Sequence, residues 1–243
     1  MRVTTNERLA TRRRRQAMIA SLAGISVLAV GLVINLQATR AGADSHQQLL
    51  IAYVALVGGS ILSWIGVVLS DRWAARPRAD VALETGLKGA GPAYKLYNWA
   101  LPAEHVLLAP WGLAVFTVFN VEGPVAIRGA KWRDARPLYR KLLSLGRRSV
   151  RNPAPVLSME TGALARELVD RDPELADVEI ESVAVFSHPS CVVSVQDSTI
   201  PVTTLTTMRD WLRSEGKRPT LSSVERRRLE KALDAVAEER LAQ

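Results

Sequence analysis

Two uncharged stretches near the start of the chain limit its architecture more than any other feature. Residues 17–36 and 49–69 contain no Asp, Glu, Lys or Arg. Each is about twenty residues long, enough at about 1.5 Å per residue to cross a hydrocarbon core of about 30 Å. Buried helices of a soluble core seldom stay uncharged over that length. A cleaved signal peptide is the other alternative, since Arg12–Arg15 precede the first run and Ala41-Gly42-Ala43 has the form of a cleavage site. The run exceeds the usual apolar region of about 7–15 residues, and a second span follows directly. The two stretches read as a transmembrane helical hairpin.

Lys and Arg set its expected orientation. Arg2, Arg8 and Arg12–Arg15 precede the first span, Arg72, Arg76 and Arg78 follow the second, and the loop between carries Arg40 against Asp44. The positive-inside bias puts both ends in the cytoplasm and the loop outside the cell (inner) membrane, with Trp73 as an interfacial anchor. Ala20 and Gly24 in one span, and Gly59 and Ser63 in the other, set small residues four apart, which lets helices approach closely, although Gly and Ala are common in spans generally. Neither span holds an ionisable side chain, which favours an anchor over a transporter or channel. Cys191 is the only cysteine, so no intrachain disulfide can form.

With 243 residues, 48% of them hydrophobic, and a formal charge of +8, the chain has room for one globular domain besides the hairpin. Ala79–Leu87 reads as a short helix. The following Gly86-Leu87-Lys88-Gly89-Ala90-Gly91 lacks the Gly-Lys-Ser/Thr ending and the preceding strand of a phosphate loop, and reads as a helix stop. Tyr94–Trp99 alternates like a strand. Residues 104–120 read as strand, tight turn at Pro110 and Gly112, and strand. A turn at Glu122-Gly123-Pro124 leads into Val125–Gly129, giving an expected three-strand meander. Asp134 is placed to cap a helix from Ala135 with Leu138, Leu142 and Leu145 as its buried stripe. A second helix is expected over residues 158–169, strands over 178–186, 191–195 and 200–204, and a short helix over 208–213. After Gly216, Ser222 and Glu225 have capping-box spacing. Leu229, Leu233 and Val236 then form a narrow apolar stripe that suits docking on the domain, on a second copy, or a free helix.

The stretch from Glu104 carries a resemblance. Glu104-His105, Ala109-Pro110-Trp111-Gly112 and Arg128-Gly129 with Trp132 resemble the D-H, G-P-x-G and R-G-x-x-W elements of the nuclease-related domain (NERD) family, a branch of the PD-(D/E)xK restriction-endonuclease-like nucleases. The resemblance covers about residues 79 to 212. It implies a mixed α/β restriction-endonuclease-like domain, with an acidic residue on the opening helix (Asp80 or Glu84) and carboxylates around a magnesium ion that polarises a phosphate and activates water. It also implies an E-x-K pair on one strand face. That pair is replaced here by Thr117 and Phe119. A magnesium site is thereby short of hard oxygen ligands, so the domain is expected to be degenerate, with no metal or other cofactor. The alternative, a divergent magnesium-dependent nuclease, would draw on Glu84, Glu104 and Glu122. No G-x-S-x-G, H-E-x-x-H or cysteine pair offers other chemistry.

One charged stretch stands out. Arg128, Lys131, Arg133, Arg136, Arg140, Lys141, Arg147, Arg148 and Arg151 crowd into 24 residues with Asp134 as the only acid. On the expected helix Arg136 and Arg140 share a face opposite the leucines. Such a face suits nucleic-acid phosphates, anionic lipid headgroups, or plain solvation. The chain thus divides into a basic cytoplasmic arm (1–16), two spans (17–69), a linker (70–78), a nuclease-like domain (79–212) and a charged helical tail (213–243). The expected function is binding or scaffolding by a multi-pass membrane protein. Its expected partners are the bilayer, nucleic acid or lipid headgroups, and a second copy. A structural or assembly role through hairpin and tail is the remaining alternative.

Overall fold

The computed structural model describes residues 1–41, 46–73, 77–137 and 150–242. The chain separates into two compact units, a helical hairpin and an α/β domain, and the domain includes Met1–Arg8 as well as the described residues from Pro77 onward.

The hairpin consists of α1 (Glu7–Ala41) and α2 (His46–Trp73). Both are long and apolar enough to cross a membrane, and only 17% of either apolar window is buried, unlike the core helices of a soluble protein. The buried positions are small and recur every seven residues: Ala10, Ala17, Gly24, Gly31 and Ala38 on α1, and Ala52, Gly59 and Gly66 on α2. A seven-residue period keeps one seam facing the partner through a gentle left-handed supercoil. Glycine is required there by proximity: a Cβ on Gly24 would lie 2.4 Å from the Ser63 backbone nitrogen, and one on Gly66 2.5 Å from that of Ser21. Gly24, Gly59 and Ser63 are at the seam as their spacing suggests, but Ala20 is only half-buried and the operative spacing is seven, not four. The larger side chains, among them Leu22, Ile25, Leu50, Val54 and Trp64, point outward and are more than half exposed.

The domain begins with a strand that its basic surroundings conceal. β1 (Arg2–Thr5), with three β-branched residues in succession, pairs in parallel with β2 (Lys95–Asn98), from Arg2↔Lys95 to Thr5↔Asn98. The expected basic arm over 1–16 has structure of its own: its first residues are in a sheet, and from Glu7 it is the first turns of α1. The expected linker is shortened likewise, because α2 continues to Trp73. Then come α3 (Ala79–Gly86), β2, β3 (His105–Ala109), β4 (Gly112–Phe119), β5 (Gly123–Gly129), β6 (Lys131–Asp134), α4 (Ala154–Arg171), β7 (Ile180–Phe186), β8 (Cys191–Ser198), β9 (Val202–Thr204), α5 (Met208–Glu215) and α6 (Ser223–Ala242).

These strands make a six-stranded sheet in the order β1-β2-β3-β4-β7-β9 and a three-stranded one in the order β6-β5-β8. β2, β3 and β4 form the antiparallel meander, β7 returns parallel to β4, and β9 parallel to β7. The expected meander of β3, β4 and β5 is thus displaced by one strand. Gly123, at φ 87, and Pro124, which cannot donate to a ladder, turn the chain out of the large sheet into the small one. Gly112 serves the β3–β4 turn by proximity, because a Cβ there would meet the Glu179 carbonyl at 2.7 Å while Leu113 N–H donates to that same oxygen at 2.9 Å. The helix expected from Ala135 is also corrected at its start. Residues 131–134 are a strand, residues 135–137 are not helical, and Asp134 accepts from the Arg136 backbone N–H. Leu138, Leu142 and Leu145 lie outside the described residues.

The large sheet is covered on both faces. Leu157, Leu164 and Leu168 of α4 and Leu229, Leu233 and Val236 of α6 bury against Tyr97, Val106, Leu108, Leu113 and Val115. On the other face Leu83 of α3 and Met208 of α5 meet Leu96, Leu107, Phe116, Val183 and Val185. A third cluster, Phe119, Phe186, Trp132, Val125 and Ile127, joins the small sheet to the end of β4 and β7.

The tail drawn from 213 is therefore part of the core. Its capping box forms as its spacing suggests, with Ser222 N–H donating to Glu225 at 2.8 Å and Glu225 N–H to the Ser222 hydroxyl at 3.2 Å. Lys95 bonds both Asp234 oxygens at 2.6 and 2.8 Å, Tyr97 donates its hydroxyl to the same carboxylate at 2.7 Å, and Arg2 pairs with Glu230 at 2.7 Å. Each buried aliphatic side chain of α6 contributes about 1.5–3 kcal/mol. Ending the chain at Ser222 should therefore unfold the domain, read as loss of a cooperative thermal transition and rapid proteolysis within β2–β4. An intact transition would show a dispensable tail.

Candidate functional site

The basic residues of the small sheet converge. β5 and β6 are joined by a tight turn at Gly129, whose φ is 53, and Arg128 faces Lys131 across it while Ala126 faces Arg133. Alternation sends Ile127 and Trp132 inward, where both are buried, and leaves Arg128, Lys131 and Arg133 exposed on the opposite face. These three and Ala126 line a cavity of about 520 Å³. β8 runs beside β5 in parallel, bringing Ser194 level with Ala126 and Gln196 level with Arg128. Among the described residues none of the three cations has an ion-pair partner, although like charges set directly opposite each other on a sheet repel. Their cost to the sheet is relieved when an anion sits over the face.

The remaining cations of the stretch behave differently. Arg136 folds back on Asp134, its Nε at 3.0 and 2.9 Å from the two oxygens and a terminal nitrogen at 2.6 Å. That hydrogen bond holds its guanidinium pKa above the ordinary value, with the Asp134 and Glu122 charges adding to it. The expected pairing of Arg136 and Arg140 as exposed helix-face cations is therefore corrected for Arg136. Arg140, Lys141, Arg147 and Arg148 lie outside the described residues, and Arg151 is exposed just before α4. Ser194 and Gln196 carried no local signal, because their place depends on the parallel β5–β8 pairing across some seventy residues of chain.

The nuclease-like positions lie at the far end of β4. The β3–β4 register, continued from Val106↔Val115, brings Glu104 level with Thr117. Thr117 is half-buried, and Phe119 is 5% exposed. The Phe119 ring stacks on Phe186 with centroids 5.3 Å apart and lies 5.9 Å from Trp132. Where the resemblance requires a lysine, the chain has the aromatic joint between its two sheets. Glu122 is exposed in the turn before β5. Glu84 lies on α3 beside Asp80, with Glu7 and Arg78 within electrostatic reach. Glu84, Glu104 and Glu122 do not assemble into a metal-ligand set: among the described residues no group of three His, Cys, Asp or Glu side chains could hold a metal ion. A hydroxyl, a phenyl ring and one carboxylate do not supply the oxygens magnesium needs, so these residues do not fit it.

Near the β2–β3 connection the polar groups support structure. The buried His105 ring meets Asn98 at 2.8 Å through Nδ1, and Asn98 donates to the Thr5 hydroxyl at 3.2 Å, stitching β3, β2 and β1 together. Arg78 bonds the buried Asp80, reaches Glu7 at 3.3 Å and lies over the Trp99 ring at 5.5 Å. Trp99 itself has φ 54, a conformation a bulky side chain rarely adopts.

Comparisons with protein-family models, with curated proteins and with solved structures return no match.

The Glu84 carboxyl is held above its ordinary value by burial first, then by the Asp80 and Glu7 charges, against the lowering effect of Arg78. A raised folded-state value means that the charged form weakens the fold at neutral pH, and the weakening disappears below the unfolded value of 4.5. Glu84→Gln should therefore raise the melting temperature at pH 7 and leave it unchanged near pH 4. A drop at pH 7 would show that the charge is needed.

Proposed function

We propose that this chain is a membrane-anchored binding protein whose restriction-endonuclease-like domain does not cleave, and whose β5–β6 face holds a polyanion at the cytoplasmic side of the membrane. The observation that carries the reading is the trio Arg128, Lys131 and Arg133, exposed together on one sheet face with no ion-pair partner among the described residues.

Several features support the rest. The hairpin covers only its small residues and leaves its large apolar side chains outward, which lipid would cover. The parallel β1–β2 ladder ties residues before the hairpin to residues after it, so a hairpin that spans must return to the side from which it left. The arginine bias favours the cytoplasm as that side. The order α3, β2, β3, β4, then the small-sheet strands β5 and β6, then α4 and β7, with β7 parallel to β4, supports the resemblance to the NERD branch of the nuclease superfamily. The engagement of Phe119 with Phe186 and Trp132 supports loss of cutting.

Phosphates neutralised by lysine and arginine release counterions, so binding weakens steeply with salt and is nearly blind to sequence. Full-length protein in detergent should bind DNA or RNA of unrelated sequences alike. The triple substitution Arg128→Ala, Lys131→Ala, Arg133→Ala should reduce the slope of log affinity against log salt by about three. Anionic against neutral nanodiscs, read by crosslinking at Arg133, tests lipid headgroups as the polyanion. An unchanged slope, or no salt-sensitive binding by the wild type at low ionic strength, refutes the reading.

A separate test addresses chemistry. Installing Thr117→Glu with Phe119→Lys should not create magnesium-dependent cleavage, and it should cost about 3–5 kcal/mol of stability by breaking the aromatic joint. Metal-dependent cutting by clean wild-type protein would overturn the non-cleaving assignment.

A further inference from the structure

A second basic site lies on the large sheet's α3/α5 side, apart from the β5–β6 face. The turn after α3 and the outer side of α5 enclose a cavity of about 360 Å³, lined by Leu87, Lys88, Gly89, Ala90, Arg209, Leu212 and Arg213. Its volume is at the small end of those that hold compact ligands. Three cations rim it. Among the described residues the side chains of Lys88 and Arg209 have no ion-pair or hydrogen-bond partner, and that of Arg213 has only the exposed Asp210, at 3.4 Å. Leu87 is buried and Leu212 half-buried, giving the cavity an apolar floor.

The turn adds donors. Gly89 has φ 96, and its neighbours are tied into the turn by Lys88 N–H to Thr85 O at 3.2 Å and Ala90 N–H to Leu87 O at 3.0 Å. The Gly89 N–H itself donates to no described residue. A Cβ on Gly89 would meet nothing within 4 Å, so a bulky group can approach the backbone there. One amide donor in a tied turn, flanked by lysine and arginine over a small apolar floor, matches a phosphate group carried on a compact body.

We propose that this cavity binds a small phosphorylated molecule, its phosphate held by Lys88, Arg209 and the Gly89 amide, with Arg213 at the rim and the rest of the molecule against Leu87 and Leu212. The chemistry is the same whether the phosphate is free or carried by a nucleotide, and the two differ only in what reaches the apolar floor.

The test is calorimetric titration of the full-length protein in detergent with inorganic phosphate, pyrophosphate and ADP, without added metal. The expected result is one site per chain, with Lys88→Ala and Arg209→Ala each weakening pyrophosphate binding about tenfold, the loss typical of one charge-assisted hydrogen bond. Arg209→Lys should retain part of it, and melting temperatures should be unchanged because both side chains are exposed. Tighter ADP than pyrophosphate binding, lost in Leu212→Ser, identifies a nucleotide, and equal affinities identify the phosphate alone. In the Arg128→Ala, Lys131→Ala, Arg133→Ala protein, where the sheet face is removed, the binding that depends on Lys88 and Arg209 should remain, which keeps this site distinct from that face. No heat with any probe at millimolar concentration overturns the proposal, as does binding that survives Lys88→Ala with Arg209→Ala in that background.

Discussion

The parallel ladder between Arg2–Thr5 and Lys95–Asn98 fixes where the apolar hairpin must begin and end. A parallel pair needs a long crossover, which in a doubly wound domain is a helix lying on the sheet. Here the crossover includes the whole of α1 and α2 together with α3. The hairpin is thus an insertion between the first two neighbouring strands of one sheet rather than a leader placed before a domain. Asn98, bonded to both Thr5 and His105, extends that tie through three strands at the end from which α1 departs.

The opposite end of the chain closes the same region. α6 covers one face of the sheet with Leu229, Leu233 and Val236, and its acidic residues Glu230 and Asp234 take Arg2, Lys95 and Tyr97. Burial, followed by the hydrogen bond to Asp234, pushes the Tyr97 phenol well above its usual value and keeps it a donor. An acidic carboxylate shared by a lysine and a tyrosine leaves few unsatisfied lone pairs, which lets a charged helix lie against a β-sheet. First strand, second strand and last helix are therefore one cooperative element, though they stand far apart in sequence.

The parts of this architecture that were legible beforehand are those with a local period or a local cap. The two long apolar helices, the Pro110–Gly112 turn, the Leu164–Leu168 stripe of α4 and the Ser222–Glu225 box are all decided within one or two turns of chain. β1 was not legible, because four residues among arginines carry too little pattern to announce a partner ninety positions away. The seven-residue seam was visible in the positions of Ala17, Gly24, Gly31 and Ala38, but spacing-four pairs within it drew the reading first. At the candidate site, the clustering of Arg128, Lys131 and Arg133 was readable and their shared face was not. That depended on residues 131–134 pairing with β5 as a strand, which four residues of mixed charge do not announce. Arg136 was expected on an exposed helix face, but its own neighbour Asp134 neutralises it.

The distance between β1 and β2 also bears on how the protein is made. At about 5–20 residues per second, the ribosome delivers Lys95 on the order of ten seconds after Arg2. Throughout that interval the first strand has no neighbour to pair with, while both apolar helices emerge behind it and seek an environment that will accept them. The sheet can close only once the whole hairpin has been synthesised, so the hairpin's length sets the earliest moment at which the domain can assemble. A nascent chain whose helices are delayed would display an unpaired strand with a run of arginines behind it, a form suited to capture by a chaperone.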